Sequence, residues 1–223
     1  MSFVVALLGA ESTGKTTLAQ ALVEALAVDG RRVALVSEYL REFCDAHGRT
    51  PRQDEQAQIA AEQMRRVALA ARTHELVIAD TSALMIAVYS DTVFGDTHLY
   101  VGAEAAHRAG CDLTLLTALD LPWQADGLQR DGPHVREPVD ARVRAALTRA
   151  GVAYSVVFGH GEARLRAALA SVQRALAART VSDDHSDASN PRWHWHCERC
   201  GDADCERHAR LPNLGVRGEN GAR

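Results

Sequence analysis

FVVALLGAESTGKTTL occupies positions 3–18, and how it is read sets the fold. The six apolar residues Phe3–Leu8 predict a short buried parallel strand. The next eight, GAESTGKT at positions 9–16, match the G-x-x-x-x-G-K-[ST] pattern of a phosphate-gripping loop. Residues 15–28 then carry Leu18, Leu22 and Leu26 on one helical stripe, with Gly30 placed to end the helix. Strand, loop and helix in this order are the context in which the pattern has chemical meaning. Glycines let successive N–H groups turn inward around phosphate oxygens, and the helix N-terminus adds partial positive charge. The pattern assigns Lys15 to the β- and γ-phosphates of ATP and the Thr16 hydroxyl to Mg²⁺. Gly9, Glu11, Ser12, Thr13, Gly14 and Thr17 complete the expected ATP-binding loop.

Outward from this stretch, strands and helices alternate. RRVALVSE (31–38), ELVIAD (75–80), CDLTLLTAL (111–119) and AYSVVFG (153–159) predict four further strands. Helices are expected over residues 51–74, 83–90, 139–150 and 162–179. DTVFGDTHLY (91–100) reads as irregular, and the Pro- and Gly-punctuated stretch 120–140 as an ordered loop. The expected fold class is α/β: a P-loop NTPase-type open parallel sheet of about five strands, flanked by helices joined through right-handed crossovers. With 223 residues, 47% of them hydrophobic, the chain can build one core and carry a small appendage.

Charge and composition exclude other classes. A formal net charge of −4 gives no global basic face for a nucleic-acid duplex. No apolar run approaches the roughly 18 residues of a spanning helix, and no basic region precedes the first strand, so a cytoplasmic protein is expected. In that setting the five cysteines point to thiols or metal ligands before disulfides.

In an open parallel sheet, ligands sit beyond the carboxyl ends of the strands. Thr16, Glu38 and Asp80 therefore converge on one crevice. Asp80 is the expected carboxylate partner of Thr16 for Mg²⁺; its alternative, compatible role is to cap the helix that starts at Ala83. Thr81 and Ser82 follow Asp80 where a water-activating motor ATPase would have a glutamate, which weighs against that class. Glu38 is placed to accept a proton from an acceptor hydroxyl, or else to pair with Arg41 at the surface. The choice of catalytic base between Glu38 and Asp80 stays open at this point. Tyr39 and Arg41, beside Glu38, are assigned to the substrate side.

The loop after the fourth strand reads PWQADGLQRDG. Trp123 offers a flat face for an aromatic ring, Asp126 an acceptor for ribose hydroxyls, and Arg130 and Arg136 positive charge for a transferring phosphoryl group. The alternative is a tryptophan plugging the sheet edge and arginines on a solvated surface. Strand–GAESTGKT–helix, SEYLREF, VIADTSAL and above all LPWQADGLQRDG together resemble the ribosylnicotinamide kinase domain of the NadR-like, P-loop AAA-type family. The similarity spans about residues 3–179. It implies transfer of the ATP γ-phosphoryl group to the 5′-hydroxyl of nicotinamide riboside, giving nicotinamide mononucleotide in NAD biosynthesis or salvage. It also implies that Trp123 and Asp126 hold the riboside and that the arginine-containing stretch after them forms a lid. Two departures stand out: Gln129 precedes Arg130 where the family often has arginine directly, and Asp80-Thr81-Ser82 replaces Asp-Thr-Asp. No His-x-Gly-His stretch occurs, so adenylyl transfer is not expected. The competing readings are a nucleoside or deoxynucleoside kinase on the same sheet, and an ATP-binding regulatory or interaction module.

On this reading residues 1–179 form the P-loop kinase domain and 180–192 a flexible linker of almost no apolar content. Residues 193–210 form a small zinc-binding segment and 211–223 a disordered end. The segment contains Cys197-x2-Cys200-x4-Cys205-x2-His208, four ligands in twelve residues, which suits a structural tetrahedral Zn²⁺; the alternative is a cluster of free thiols. The tail's partner is open, with Trp193 and Trp195 at hand to stack on one. Cys44 and Cys111 read as ordinary buried thiols. The expected ligands are thus Mg-ATP and a small nucleoside-like substrate, with no membrane and no strong nucleic-acid signal.

Overall fold

The computed structural model describes residues 2–28, 30–124 and 132–185, the last five by their backbone alone. Five parallel strands, β1 (Phe3–Leu8), β2 (Val33–Val36), β3 (Leu76–Asp80), β4 (Leu113–Thr117) and β5 (Tyr154–Val157), form one sheet in the order β2-β3-β1-β4-β5. Around it lie α1 (Lys15–Leu26), α2 (Tyr39–His47), α3 (Gln56–Ala71), α4 (Ala83–Phe94), α5 (Tyr100–Gly110), α6 (Arg136–Ala150) and α7 (Gly161–His185).

Every residue of β1 is buried, as a central parallel strand covered on both faces requires. It pairs with β3 from Phe3↔Leu76 to Leu7↔Asp80 and with β4 from Val5↔Leu113 to Leu8↔Leu116. Side chains alternate between the faces. Phe3, Val5 and Leu7, with Leu76, Ile78 and Leu115, pack against Leu18, Leu22 and Leu26 of α1 and Ala168 and Val172 of α7. Leu8 and Leu116 on the other face join α3, α4, α5 and α6, while Val4, Val36 and Val77 meet the far end of α3. Right-handed crossovers dictate this sorting. The step from β1 to β2 goes one way across the sheet and puts α1 on one face; later steps go the other way and put α2–α6 on the opposite face.

The structure departs from the sequence-based expectations at several element ends. The helix expected over 51–74 is a 3-10 turn, Gln53–Glu55, followed by α3, which stops at Ala71. Glu55 causes the break: it accepts from the Arg52 N–H at 2.8 Å and takes a two-pronged bond from Arg49 at 2.7 Å, closing a turn of its own. Arg49, then Arg52, hold the Glu55 carboxyl down at about 2, so it stays ionised in mild acid. α2 is additional, α4 runs on to Phe94, into the chain that reads as irregular, before Gly95 turns left-handed at φ 67°, and α5 is additional, starting at the last residue of that stretch. Leu99 precedes α5 with no side-chain cap, so no local start signal marks it. α6 starts at Arg136 and α7 passes Arg179 to end at His185. No helix among the described residues is long and apolar enough to cross a membrane.

His107 on α5 is 3% exposed, with Nε2 2.8 Å from the Thr114 hydroxyl and Nδ1 3.0 Å from the Ser82 hydroxyl. Burial pulls its pKa down to about 4. An unfolded histidine titrates near 6.5, so below that pH the unfolded chain gains a proton that the fold refuses. The stability is fully present above pH 6.5 and declines as pH falls towards 4, by about 2 kcal/mol between pH 7 and 5. Thermal melts across that range should show the decline in the wild type and a flatter profile in His107→Gln; an identical slope in both would refute the assignment.

Candidate active site

The loop between β1 and α1 has the backbone of an anion cradle. Gly14, the N-cap of α1, is left-handed at φ 72°, and Ser12 reaches φ 58°. Gly9 sits at φ 146°, and a Cβ there would stand 2.1 Å from the Thr117 Oγ1, so only glycine fits. The loop's carbonyls are tied by side chains. Lys15 Nζ donates to the Gly9 and Ala10 oxygens, each at 2.8 Å. Thr13 Oγ1 lies 2.8 Å from the Ala10 oxygen and Thr117 Oγ1 3.1 Å from the Leu8 oxygen, and the two hydroxyls bond each other at 2.7 Å. Arg164 donates to the Thr13 oxygen at 2.8 Å.

Thr16 Oγ1 donates to Asp80 Oδ2 at 2.6 Å, so the register of β3 on β1 brings together the two residues assigned to Mg²⁺. Asp80 is 2% exposed, and its Oδ1 has no hydrogen-bond partner among the described residues. A buried carboxylate oxygen without a donor, beside a hydroxyl at a phosphate loop, fits a hard cation that takes oxygen ligands. No cluster of three or more His, Cys, Asp or Glu among the described residues could hold a metal ion. Ser82, not Asp80, caps α4 by accepting from the Leu84 N–H at 3.2 Å, which removes the capping role considered for Asp80. Thr81 between them is held at φ 87°, a strained position for a branched residue beside the site.

A cavity of about 610 Å³ opens from the phosphate loop, with Glu11, Ser12, Thr13, Gly14, Lys15, Thr16 and Thr17 on one side. Glu38, Arg41, Cys44, Gln56, Tyr89 and Phe94 are on the other. Glu38 precedes α2 in extended conformation and lies 4.0 Å from Arg41, so it both lines the cavity and faces that arginine. Tyr39 is not part of the wall: its ring lies under the Arg66 guanidinium at 4.4 Å, and its N–H donates to Gln63 at 2.8 Å. The helical turn of α2 explains this, since it aims Leu40, Arg41 and Cys44 at the cavity and Tyr39 and Phe43 at the core.

The tryptophan loop is only partly described. Trp123 is half-buried outside the cavity wall, with its Nε1 shielded from water and without a partner among the described residues. The next residue is fastened to the phosphate loop: Gln124 N–H donates to Ser12 Oγ at 2.7 Å. Arg136 opens α6 and is buried, with Nε and Nη2 lacking partners among the described residues. Asp126 and Arg130 lie outside the described residues, as do Cys197, Cys200, Cys205 and His208. Sequence reasoning missed Thr117, Arg164, Gln56, Tyr89 and Phe94. Gln56 and Tyr89 carry no local signal beyond helical spacing, and only the packing of α3 and α4 beside the loop brings them to it.

The Thr16–Asp80 pair makes a direct prediction. Asp80→Asn should raise the Mg²⁺ concentration needed to saturate ATP binding by roughly 10- to 100-fold, with metal-free ATP affinity little changed. Calorimetric ATP titrations at graded Mg²⁺ measure it, and an unaltered Mg²⁺ requirement would remove Asp80 from the metal site.

A family model described as an AAA domain matches residues 4–164. Among solved structures, NadR in complex with NAD and AMP-PNP superposes with a TM-score of 0.61 at 20% identity, over 79% of this chain and 50% of that one. NadR in complex with NR gives 0.63 at 19% identity over the same shares. A thymidylate kinase from Ehrlichia chaffeensis gives 0.53 at 15% identity, over 78% of this chain and 98% of its own. No curated protein matches at a significant level. The chain thus spans about half the length of the NadR chains, and the likeness is one of fold: a five-stranded parallel P-loop sheet shared with NadR and with a nucleotide kinase. The family match covers well over half of the sequence and includes the strand, loop and helix on which the site is built, and by it the protein belongs to the AAA-domain family of P-loop proteins.

Proposed function

We propose that the protein is an ATP-dependent kinase that phosphorylates the 5′-hydroxyl of nicotinamide riboside to nicotinamide mononucleotide, in NAD biosynthesis or salvage. The cavity carries the proposal. At about 610 Å³ it lies within the range of small-molecule sites, and it joins the phosphate loop to a carboxylate, Glu38, on the acceptor side. The fold shared with NadR solved with NR, together with the Trp-x-Ala-Asp-Gly-Leu stretch at 123–128, supports the choice of riboside.

In this reaction the ribose 5′-oxygen attacks the γ-phosphorus, the bond from that phosphorus to the β,γ-bridging oxygen breaks, and ADP leaves. Glu38, which lines the cavity, takes the hydroxyl proton. Asp80, buried and bonded to Thr16, belongs to the metal side; Thr16 and Asp80 would hold Mg²⁺, which when bound neutralises phosphate charge. Lys15 turns from the Gly9 and Ala10 carbonyls to the β- and γ-phosphates. Arg136, with guanidinium nitrogens unmatched among the described residues, and Arg130 add positive charge to the transferring group. Arg41 holds the riboside from the cavity wall, and the resemblance adds Trp123, outside that wall, through its ring face, and Asp126. Tyr39 acts through α2 rather than by contact. The fold shared with thymidylate kinase favours, as the second reading, another nucleoside or nucleotide as acceptor.

An acceptor panel with Mg-ATP separates these. Nicotinamide riboside should be the preferred acceptor over thymidine, deoxycytidine and thymidine monophosphate, and preference for any of those would replace the proposal with the second reading. Turnover with none of them would leave a nucleotide-binding module. Glu38→Gln should lower kcat by roughly 10²- to 10⁴-fold with ATP affinity retained, and Trp123→Ala should raise KM for the riboside alone. The tail set Cys197, Cys200, Cys205 and His208 is proposed, on spacing, to bind one structural zinc. Elemental analysis should find zinc in the wild type and not in Cys197→Ser/Cys200→Ser; equal metal content would dismiss it.

A further inference from the structure

Arg164 lies in the first turn of α7, far in sequence from the phosphate loop, and is 4% exposed. Its guanidinium joins three segments. Nη2 donates to the Thr13 oxygen at 2.8 Å, and Nη1 donates to the Gly159 oxygen and to Asp120 Oδ1, each at 2.9 Å. Asp120, just after β4, also accepts from the Gly159 N–H after β5. A buried guanidinium is tolerated when a counter-charge and acceptors surround it, and Asp120 supplies the charge. Burial pushes the Asp120 carboxyl up, but the bonds from Arg164 and Gly159 outweigh it and hold the group below the ordinary aspartate value.

The consequence for the loop follows from peptide geometry. In a planar trans peptide the C=O and N–H point in opposite directions, and no cis bond occurs among the described residues. Pinning the Thr13 carbonyl to Arg164 therefore turns the Gly14 N–H the other way, and Gly14 lines the cavity. We infer that Arg164 is a positioning residue for ATP: it holds the Thr13 carbonyl so that the Gly14 N–H faces the β- and γ-phosphates, and it ties this orientation to the ends of β4 and β5 through Asp120 and Gly159. The inference rests on the loop gripping a nucleoside triphosphate and is independent of which acceptor is phosphorylated.

The test is calorimetric titration of the full chain with AMP-PNP and Mg²⁺, so that donor binding is read without turnover. Arg164→Met should raise Kd by about tenfold or more, the loss expected for a charged hydrogen bond. Arg164→Lys, which keeps the charge but cannot bridge all three acceptors, should fall between it and the wild type. Val172→Ala, on the same helix and fully buried, should lower the melting temperature and leave Kd unchanged. A folded Arg164→Met that binds AMP-PNP no more weakly than Val172→Ala overturns the inference. If Arg164→Met does not fold, Asp120→Asn decides, because its amide sets a donor against either Arg164 or the Gly159 N–H. It should weaken AMP-PNP binding by about threefold or more, and wild-type affinity would dismiss the clamp. A positive result here with a negative acceptor panel would sink the kinase assignment and keep the clamp.

Discussion

A loop that gathers its N–H groups around an anion must turn its carbonyls outward, and each buried carbonyl then needs a donor. This constraint organises the molecule. The Gly9 and Ala10 oxygens have Lys15, the Thr13 oxygen has Arg164, and the Thr13 and Thr117 hydroxyls, bonded to each other, have one proton between them for the Ala10 or the Leu8 oxygen. The donors come from α1, from the end of β4 and from the start of α7, so the cradle has its shape only once the sheet has closed around β1. Thr117 also stands where a side chain at position 9 would be, so one residue supports the loop and requires its first glycine.

The strand order makes that closure possible. With β1 between β3 and β4, the C-terminal ends of three strands deliver Asp80, the phosphate loop and Thr117 to one edge of the sheet. The chain leaves β1 in one direction for β2 and later returns across it to β4, which opens a crevice at the point of reversal. Glu38, at the end of the β2 side, looks into that crevice, and the 3-10 turn and α4 wall it in. The bonds among Arg49, Arg52 and Glu55 set the geometry of that wall. Partly exposed ion pairs like these contribute little to stability, but they decide where the backbone turns before Gln56 reaches the cavity.

Polar groups around the site divide by what they touch. Thr13, Thr117 and the two Nη atoms of Arg164 are buried and bonded on the carbonyl side of the loop, while Arg164 Nε has no partner among the described residues. Asp80 Oδ1 and two nitrogens of Arg136 are buried and lack partners among the described residues. An unmatched buried carboxylate oxygen and an unmatched buried guanidinium are costly, and such strain, like the backbone of Thr81, concentrates where a ligand completes the bonding.

Much of this was legible in the amino-acid order. The phosphate loop, the stripe of Leu18, Leu22 and Leu26, the five strands and the pairing of Thr16 with Asp80 all follow from short-range rules: glycine's access to positive φ, helical and strand periodicity, and the position of a residue at a strand's end. The helices α2 and α5, the break before α3, the orientation of Tyr39 and the cavity wall of Gln56, Tyr89 and Phe94 were not. They depend on which helix lies against which strand. Arg164 is the clearest case: it bonds a carbonyl 151 positions away, and nothing near it in the chain marks it out from the other arginines of α7. Local sequence determines which conformations each segment can adopt; strand order and crossover handedness decide which distant donors meet which carbonyls, because those bonds exist only between segments that the closed sheet brings together.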